Sequence, residues 1–197
     1  MSTQLKDRLD RNIWITRKCR INASERLLNN AKFLDFLNVY FSIFTILLSI
    51  FSLDTSKFSE TMINSDKLPL FSLAISVVLT ISIVYASSLG YRDRSAALKQ
   101  NYIALQSLLD RLAVTDNEDT KSLLIISDEY TDLLDAVENH LEIDMLNLMR
   151  HGSVPNHTMT ISDQWRWFFY CVRQFVFRFL LIAAPICCLI YLFMPMR

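Results

Sequence analysis

Residues 34–53 read LDFLNVYFSIFTILLSIFSL and residues 68–89 read LPLFSLAISVVLTISIVYASSL. No charge interrupts the first run after Asp35, and none enters the second. About 20 predominantly apolar residues cross a hydrocarbon core roughly 30 Å thick, so each run is long enough to span a bilayer. A third run, residues 175–194, reads FVFRFLLIAAPICCLIYLFM; Arg178 lies near its start and Pro185 in its middle, leaving 179–196 free of charge. The expected fold is therefore all-α: an integral membrane protein with two to three transmembrane helices and a cytoplasmic helical bundle.

Working outward from these runs, composition favours helices. The chain of 197 residues is 52% hydrophobic with formal net charge +0 and two glycines, which fits neither disorder nor a turn-rich β protein. The polar first 33 residues contain no short apolar segment with a small-residue cleavage site, so the first span is expected to act as its own membrane signal. The expected boundaries are a basic N-terminal helix at 1–33, spans at 34–53 and 68–90, an external loop at 54–67, a cytoplasmic helical hairpin at 91–164, an interfacial aromatic segment at 165–174 and a third span at 175–196.

Lys and Arg set the orientation. Lys6, Arg8, Arg11, Arg17, Lys18, Arg20, Arg26 and Lys32 precede the first span, whereas the 54–67 loop holds only Lys57 and Lys67. Arg92, Arg94, Lys99, Arg166 and Arg173 lie in the second hydrophilic part, so both basic parts are expected to face the cytoplasm. Trp165, Trp167, Phe168, Phe169 and Tyr170 form an aromatic belt where the chain re-enters the bilayer.

Beyond the second span, Tyr91, Ser95, Leu98, Tyr102, Leu105, Leu109 and Leu112 alternate steps of four and three, a heptad seam. One helix is expected from Leu68 to Leu112, about 65 Å long at 1.5 Å per residue, with Gly90 as its candidate hinge. Thr115 and Glu118 have capping-box spacing, which predicts a second cytoplasmic helix running to about Arg150 and ended by Gly152 and Pro155. Its apolar side is Ile126, Tyr130, Leu133, Leu134, Val137, Leu141, Met145 and Leu148. Residues 116–144 carry ten acidic residues and one lysine, while the arm up to Phe33 carries eight basic and three acidic residues. The arm is expected either to pair with that acidic segment or to meet anionic lipid head groups.

Catalytic chemistry finds little to use. Asp128, Asp132, Asp135 and Glu142 would share a face of one continuous helix, more simply a water-facing stripe than a cation site. His140, His151 and His157 lack metal spacing, and Cys19, Cys171, Cys187 and Cys188 match neither a zinc nor a redox motif. Glycine only at 90 and 152 rules out a phosphate-binding glycine loop. No enzyme activity, cofactor, metal or direct nucleic-acid binding is expected.

The spans carry more information. Ser42, Thr45, Ser49 and Ser52 fall within about 80° of the first helix at 100° per residue, and Ser72, Ser76, Thr80 and Ser87 form a similar stripe on the second. Such hydroxyls either let helices approach and bond one another or, in an oligomer, line a water-filled lumen. Pro185 frees the carbonyl of Leu181 and is a second hinge candidate. Asp35 and Arg178 lie near an interface, where snorkelling accounts for them.

Three stretches carry a family likeness: 16–28 (TRKCRINASERLL), 82–112 (SIVYASSLGYRDRSAALKQNYIALQSLLDRL) and 130–144 (YTDLLDAVENHLEID). They resemble the SLATT family, membrane effector domains associated with SMODS nucleotidyltransferases and SLOG sensors, and Glu138, Asn139, His140 and Asp144 look like the ENH…D signature of one branch. The resemblance implies an effector of bacterial antiphage conflict systems, encoded beside a nucleotidyltransferase or a reverse transcriptase. Such an effector is thought to perforate the inner membrane as a homo-oligomer and cause abortive infection. The alternative is a non-conducting anchor that docks a cytoplasmic partner enzyme.

Overall fold

A chain that enters hydrocarbon must satisfy its backbone amides internally, which leaves helices and closed barrels. In the computed structural model, which describes residues 2–53, 68–152, 154 and 159–193, all six elements are α-helices. They are α1 (Ser2–Leu53), α2 (Leu68–Ser88), α3 (Tyr91–Val114), α4 (Thr120–Asp135), α5 (Glu142–Arg150) and α6 (Ile161–Phe193). Three helices among the described residues are long and apolar enough to cross a membrane. The 54–67 loop, Pro155 and His157 lie outside the described residues, as do the side chains of Ser52 and Cys188.

With no glycine or proline between residues 2 and 53, nothing in α1 stops the helix, and the basic arm and the first apolar run form one unbroken rod. α6 is likewise continuous through the aromatic belt and the third run, with Pro185 inside it. Its start is fixed by Thr160, whose amide and hydroxyl donate to Asp163 Oδ2 at 3.1 and 2.6 Å. That hydroxyl bond also draws the Asp163 carboxyl below its usual range. Thr160-x-x-Asp163 is a capping signal the sequence reading passed over.

The expected single helix from Leu68 to Leu112 is corrected to two. α2 stops at Ser88, the Gly90 amide donates to the Ser87 carbonyl at 3.2 Å, and Gly90 takes φ 56. That left-handed value ends a helix and suits glycine, which has no Cβ to clash. The expected cap at Thr115 is corrected too. Its hydroxyl turns back to the Arg111 carbonyl (2.9 Å), while Asp119 caps α4 by accepting from the Ser122 amide at 3.1 Å. The Ser122 bonds hold the Asp119 carboxyl below its ordinary range.

The chain divides into two compact units. The first comprises Met1–Asn29 and Tyr91–Tyr170. Its core joins Leu9 and Ile13 of α1, Leu105, Leu108, Leu109 and Leu112 of α3, and Leu123 and Ile126 of α4. The α3 seam is broader than expected: Asn101 and Leu108 are buried beside Ser95, Leu98, Leu105, Leu109 and Leu112, because α3 packs against both α1 and α4. A smaller cluster sets Cys19 against Leu148, Val154, Trp14 and Met145.

The second unit comprises Asn30–Gly90 and Cys171–Arg197. Leu37, Phe44 and Leu48 of α1 are buried within it, while Val39, Ile43, Ile46 and Ile50 of α1, Val78 and Ile81 of α2, and Phe175 and Phe179 of α6 stay exposed. An apolar exterior of this extent is what a lipid-facing surface requires.

Candidate functional site

Two places carry the polar residues singled out from sequence. The first is a buried junction in the first unit, where the expected helix from Thr115 to Arg150 breaks. α4 stops at Asp135 and α5 begins only at Glu142. The break has identifiable causes on α1. Arg20, only 1% exposed, donates to the Leu133 carbonyl at 2.8 Å and the Leu134 carbonyl at 3.1 Å. These are acceptors that the amides of Val137 and Glu138 would take if the helix went on. A guanidinium at the negative end of a helix is favourable by charge as well as by hydrogen bonding. Asn101 of α3 donates to the same Leu133 carbonyl at 2.8 Å and accepts from Arg20. Burial pushes the Arg20 pKa down, and its Nε has no hydrogen-bond partner among the described residues.

Six residues further along α1, Arg26 binds Asp144 through two bonds, Nε to Oδ1 at 2.9 Å and Nη2 to Oδ2 at 3.1 Å. Asp144 is fully buried and also accepts from the Leu141 amide at 2.9 Å, so it caps the start of α5 from inside its first turn. Asn22 holds the Asp144 carbonyl at 2.9 Å. A cation at the end of α4 and an anion at the start of α5 thus hold both stumps of what local sequence would make one helix.

Glu138, Asn139, His140 and Asp144, expected as one signature, separate into different roles. Asp144 is the buried anchor, while Glu138 faces outward and pairs with Arg94 through Nε at 3.0 Å and Nη2 at 2.5 Å. That bond raises the Arg94 pKa above its ordinary value. Asn139 is exposed. His140 is half-buried, and desolvation lowers its pKa from 6.5, with Asp144 opposing and Arg20 assisting. Leu141, expected on the apolar side, is 51% exposed; the break turns α5 so that Ile143 and Leu146 are buried instead. The expected acidic stripe is broken as well. Asp128, Asp132 and Asp135 are exposed on α4, Glu142 pairs with Arg166 of α6, and no group of three or more His, Cys, Asp or Glu among the described residues is placed to hold a metal ion.

Arg20 and Asn101 were missed from sequence, though both left a signal. Ile13, Arg20 and Leu27 recur every seven residues, placing a guanidinium on an apolar stripe, and Leu98, Asn101, Leu105 and Leu108 repeat at steps of three, four and three. A polar residue on such a stripe is a buried polar residue with partners to find. Three cations of the basic arm turn inward: Lys6 donates to the Thr115 carbonyl at 2.7 Å, Arg20 to carbonyls, and Arg26 to a carboxylate, while Arg8 and Arg11 are exposed. Glu129, Glu138 and Glu142 take their cations from Arg111, Arg94 and Arg166.

The second place is the hydroxyl faces of the second unit. Ser49 and Ser72 bring their hydroxyl oxygens to 3.3 Å, joining the α1 stripe to the α2 stripe. Ser42, Thr45, Ser49 and Thr80 each donate to the carbonyl four residues back, and Ser76 to the one three back, at 2.7–2.9 Å. Ser49, Thr80 and Ser87 are exposed, and Ser72 is buried. α6 is tied to α1 within this unit: Arg178 donates to Asn30 at 2.9 Å and lies over the Phe33 ring at 4.8 Å, and the Tyr40 hydroxyl donates to the Ile182 carbonyl at 3.0 Å. That carbonyl is next to Leu181, whose acceptor Pro185 leaves without an amide.

Comparison with known proteins supports one assignment. No curated protein and no solved structure matches the chain. A family match covers residues 1–194, taking in the hydroxyl-bearing helices, the buried junction and all of α6, so the third apolar helix falls within the matched region although the family is described by two spans. The chain belongs to the SMODS and SLOG-associating 2TM effector domain family 5.

Proposed function

We propose that this protein is a pore-forming membrane effector of a bacterial antiphage conflict system. Its family is one of effector domains associated with such systems, which gives the general role. In this reading several copies gather the hydroxyl faces of α1 and α2 around a water-filled lumen in the inner membrane, with the N-terminus and the first unit cytoplasmic. Permeabilisation then kills the cell or arrests its growth. A cytoplasmic partner, a nucleotidyltransferase or a reverse transcriptase, supplies the trigger to the first unit.

The observation that supports the reading is the Ser49–Ser72 contact, which brings one hydroxyl of each stripe together on a unit otherwise clad in exposed aliphatic and aromatic side chains. Polar groups inside a bilayer are expensive unless they meet one another or water. The hydroxyls donate to carbonyls of their own helices, which leaves their oxygen lone pairs for a neighbouring copy or for lumen water. The same contact also favours a second reading, a non-conducting anchor in which hydroxyls serve helix packing alone.

Recording from purified protein in planar bilayers separates the two. The pore reading expects conductance under activating conditions and its loss on Ser49→Leu or Thr80→Leu, with membrane insertion retained. Silence of the wild-type protein under every activating condition rules the pore out. Unchanged conductance in both variants removes these stripes from the lumen.

A further inference from the structure

The first turns of α6 have two sides of opposite character, and the aromatic residues at 165–170 divide between them. Trp167 faces α5: its Nε1 donates to Asn147 Oδ1 at 2.7 Å, and the Arg150 guanidinium lies over its ring at 3.7 Å. Arg166 is turned to Glu142, and Asp163 accepts from Thr160. These are the only charged residues between 161 and 170, so the charges of this stretch and the Trp167 indole are all occupied within the first unit.

The other side is uncovered. Ile161, Trp165, Phe168 and Phe169 fall within about 100° of the helix at 100° per residue. All four are exposed, from 49% for Phe168 to 75% for Ile161. The rings lean on one another, Trp165 with Phe168 at 6.0 Å and with Phe169 at 5.8 Å between centroids. Large apolar side chains gathered in the open, with no charge among them, mark a surface that is covered in use.

The rest of the helix indicates the cover. α6 is unbroken from Ile161 to Phe193 and is long and apolar enough to cross a bilayer. Charge alone starts the third span at Phe175, six residues after Phe169, which is about 9 Å of helix. Head groups add roughly 5–7 Å to each side of the hydrocarbon core. A lipid boundary about two turns earlier therefore brings Phe168 and Phe169 to the hydrocarbon edge and Trp165 among the head groups, the level that indole rings favour. The stretch so gained, 168–174, holds one charge, Arg173. A helical side chain points back toward the N-terminus, here toward the head groups, so an arginine at that depth can snorkel.

We propose that the face formed by Trp165, Phe168 and Phe169 is a lipid-seated surface of the first unit, and that the membrane boundary on α6 lies at Phe168 rather than at Phe175. Since this face carries no cation, burial of apolar surface is what holds it, and uncharged lipid is sufficient. The proposal rests on the membrane-spanning fold and is independent of whether the protein conducts.

Bromine on lipid chains quenches indole emission on contact. The full chain is placed in nanodiscs of phosphatidylcholine brominated either high on the acyl chain or near its methyl end. Of the three tryptophans, Trp14 packs into the core clusters and Trp167 onto α5, which leaves Trp165 for lipid to reach. The expected result is loss of part of the emission to the high bromines, a smaller loss to the deep ones, and neither loss in Trp165→Phe, a conservative change at an exposed position. Mixing in anionic lipid should leave the loss unchanged.

Quenching that survives Trp165→Phe, that needs anionic lipid, or that is stronger with deep bromines overturns the proposal. So does wild-type emission that high bromines leave untouched. In that case acrylamide names the true cover: access to Trp165 means water, and protection means a second copy or a partner protein.

Discussion

Asp144→Asn keeps the size of the side chain and removes the charge at the centre of the junction. Asp144 is fully buried and receives three donors, Arg26 Nε at 2.9 Å, Arg26 Nη2 at 3.1 Å and the Leu141 amide at 2.9 Å. Asparagine offers a single carbonyl oxygen to those three, and its amide group faces the Arg26 donors with donors of its own. Breaking a buried pair costs about 3–5 kcal/mol. Because Arg26 keeps 18% of its side chain exposed, the stranded cation is partly hydrated, and about 3 kcal/mol is the expected loss. The junction carries its own reporter in Cys19, fully buried and 3.6 Å from the Met145 sulfur. Burial, aided by the Asp144 charge, pushes its pKa up to about 11, so the thiol reacts only when this packing opens. A loss of about 3 kcal/mol raises the open population roughly a hundredfold, and Cys19 labelling, followed by peptide mass at neutral pH in detergent, should accelerate by that factor. Replacing both partners with apolar residues, Arg26→Met with Asp144→Leu, should recover most of it, since no unpaired charge remains. Acceleration below about fivefold for Asp144→Asn, or a double substitution no better than the single one, would refute this account of the helix break.

Two further outcomes follow from the same contacts. His140 holds its proton less readily in the fold than its ordinary pKa of 6.5, so the unfolded chain binds more protons in the window just below 6.5. Stability of the first unit is complete above that value and falls as pH drops through it, by at most about 1.4 kcal/mol per pH unit, and unfolding scans between pH 5 and 7.5 should lose this slope in His140→Gln. In the second unit, Tyr40→Phe removes only the hydroxyl that donates to the Ile182 carbonyl, at an expected cost of about 0.6 kcal/mol. Detergent denaturation reads the difference, and an unchanged midpoint in Tyr40→Phe would remove this bond from the contacts that hold α6 to α1.

The apolar runs were legible because crossing lipid leaves a chain few options. Length and absence of charge led to long apolar helices, and the structure has them, although α1 runs the expected arm and first span together as one helix. Joints were less legible, because they depend on one or two bonds. Gly90 was marked as a hinge, yet helix propensity alone cannot distinguish a tolerated glycine from one at φ 56. Thr115 and Glu118 have the spacing of a cap, but Thr115 already spends its hydroxyl on α3, and Asp119 serves in its place. The hydroxyl stripes were read from 100° periodicity, whereas the meeting of Ser49 with Ser72 required knowing how α1 and α2 pack.

The break between α4 and α5 was hidden for a different reason: its cause is on another helix. Within residues 115–150 neither proline nor glycine interrupts the pattern, and Leu134, Val137, Leu141 and Met145 keep helical spacing straight through the turn. Charge counting pointed to α1 as a partner and held for Arg26, which takes Asp144 of the acidic segment, but it missed the carbonyl acceptors of Arg20. It matched eight cations with ten carboxylates, but a buried guanidinium has no need of a carboxylate when the carbonyls at a helix end carry about half a negative charge and lack donors. Arg20 takes those carbonyls, and Arg26 takes the one carboxylate placed to begin the next helix. Local propensity is satisfied on either side and overruled for six residues between, where the loop gains Glu138 as an exposed charge facing α3. It follows that the break at 136–141 in this chain is maintained from outside. A variant of α1 lacking both Arg20 and Arg26 should let residues 115–150 revert toward the continuous helix their own sequence describes, and with it Glu138 would lose its position opposite Arg94.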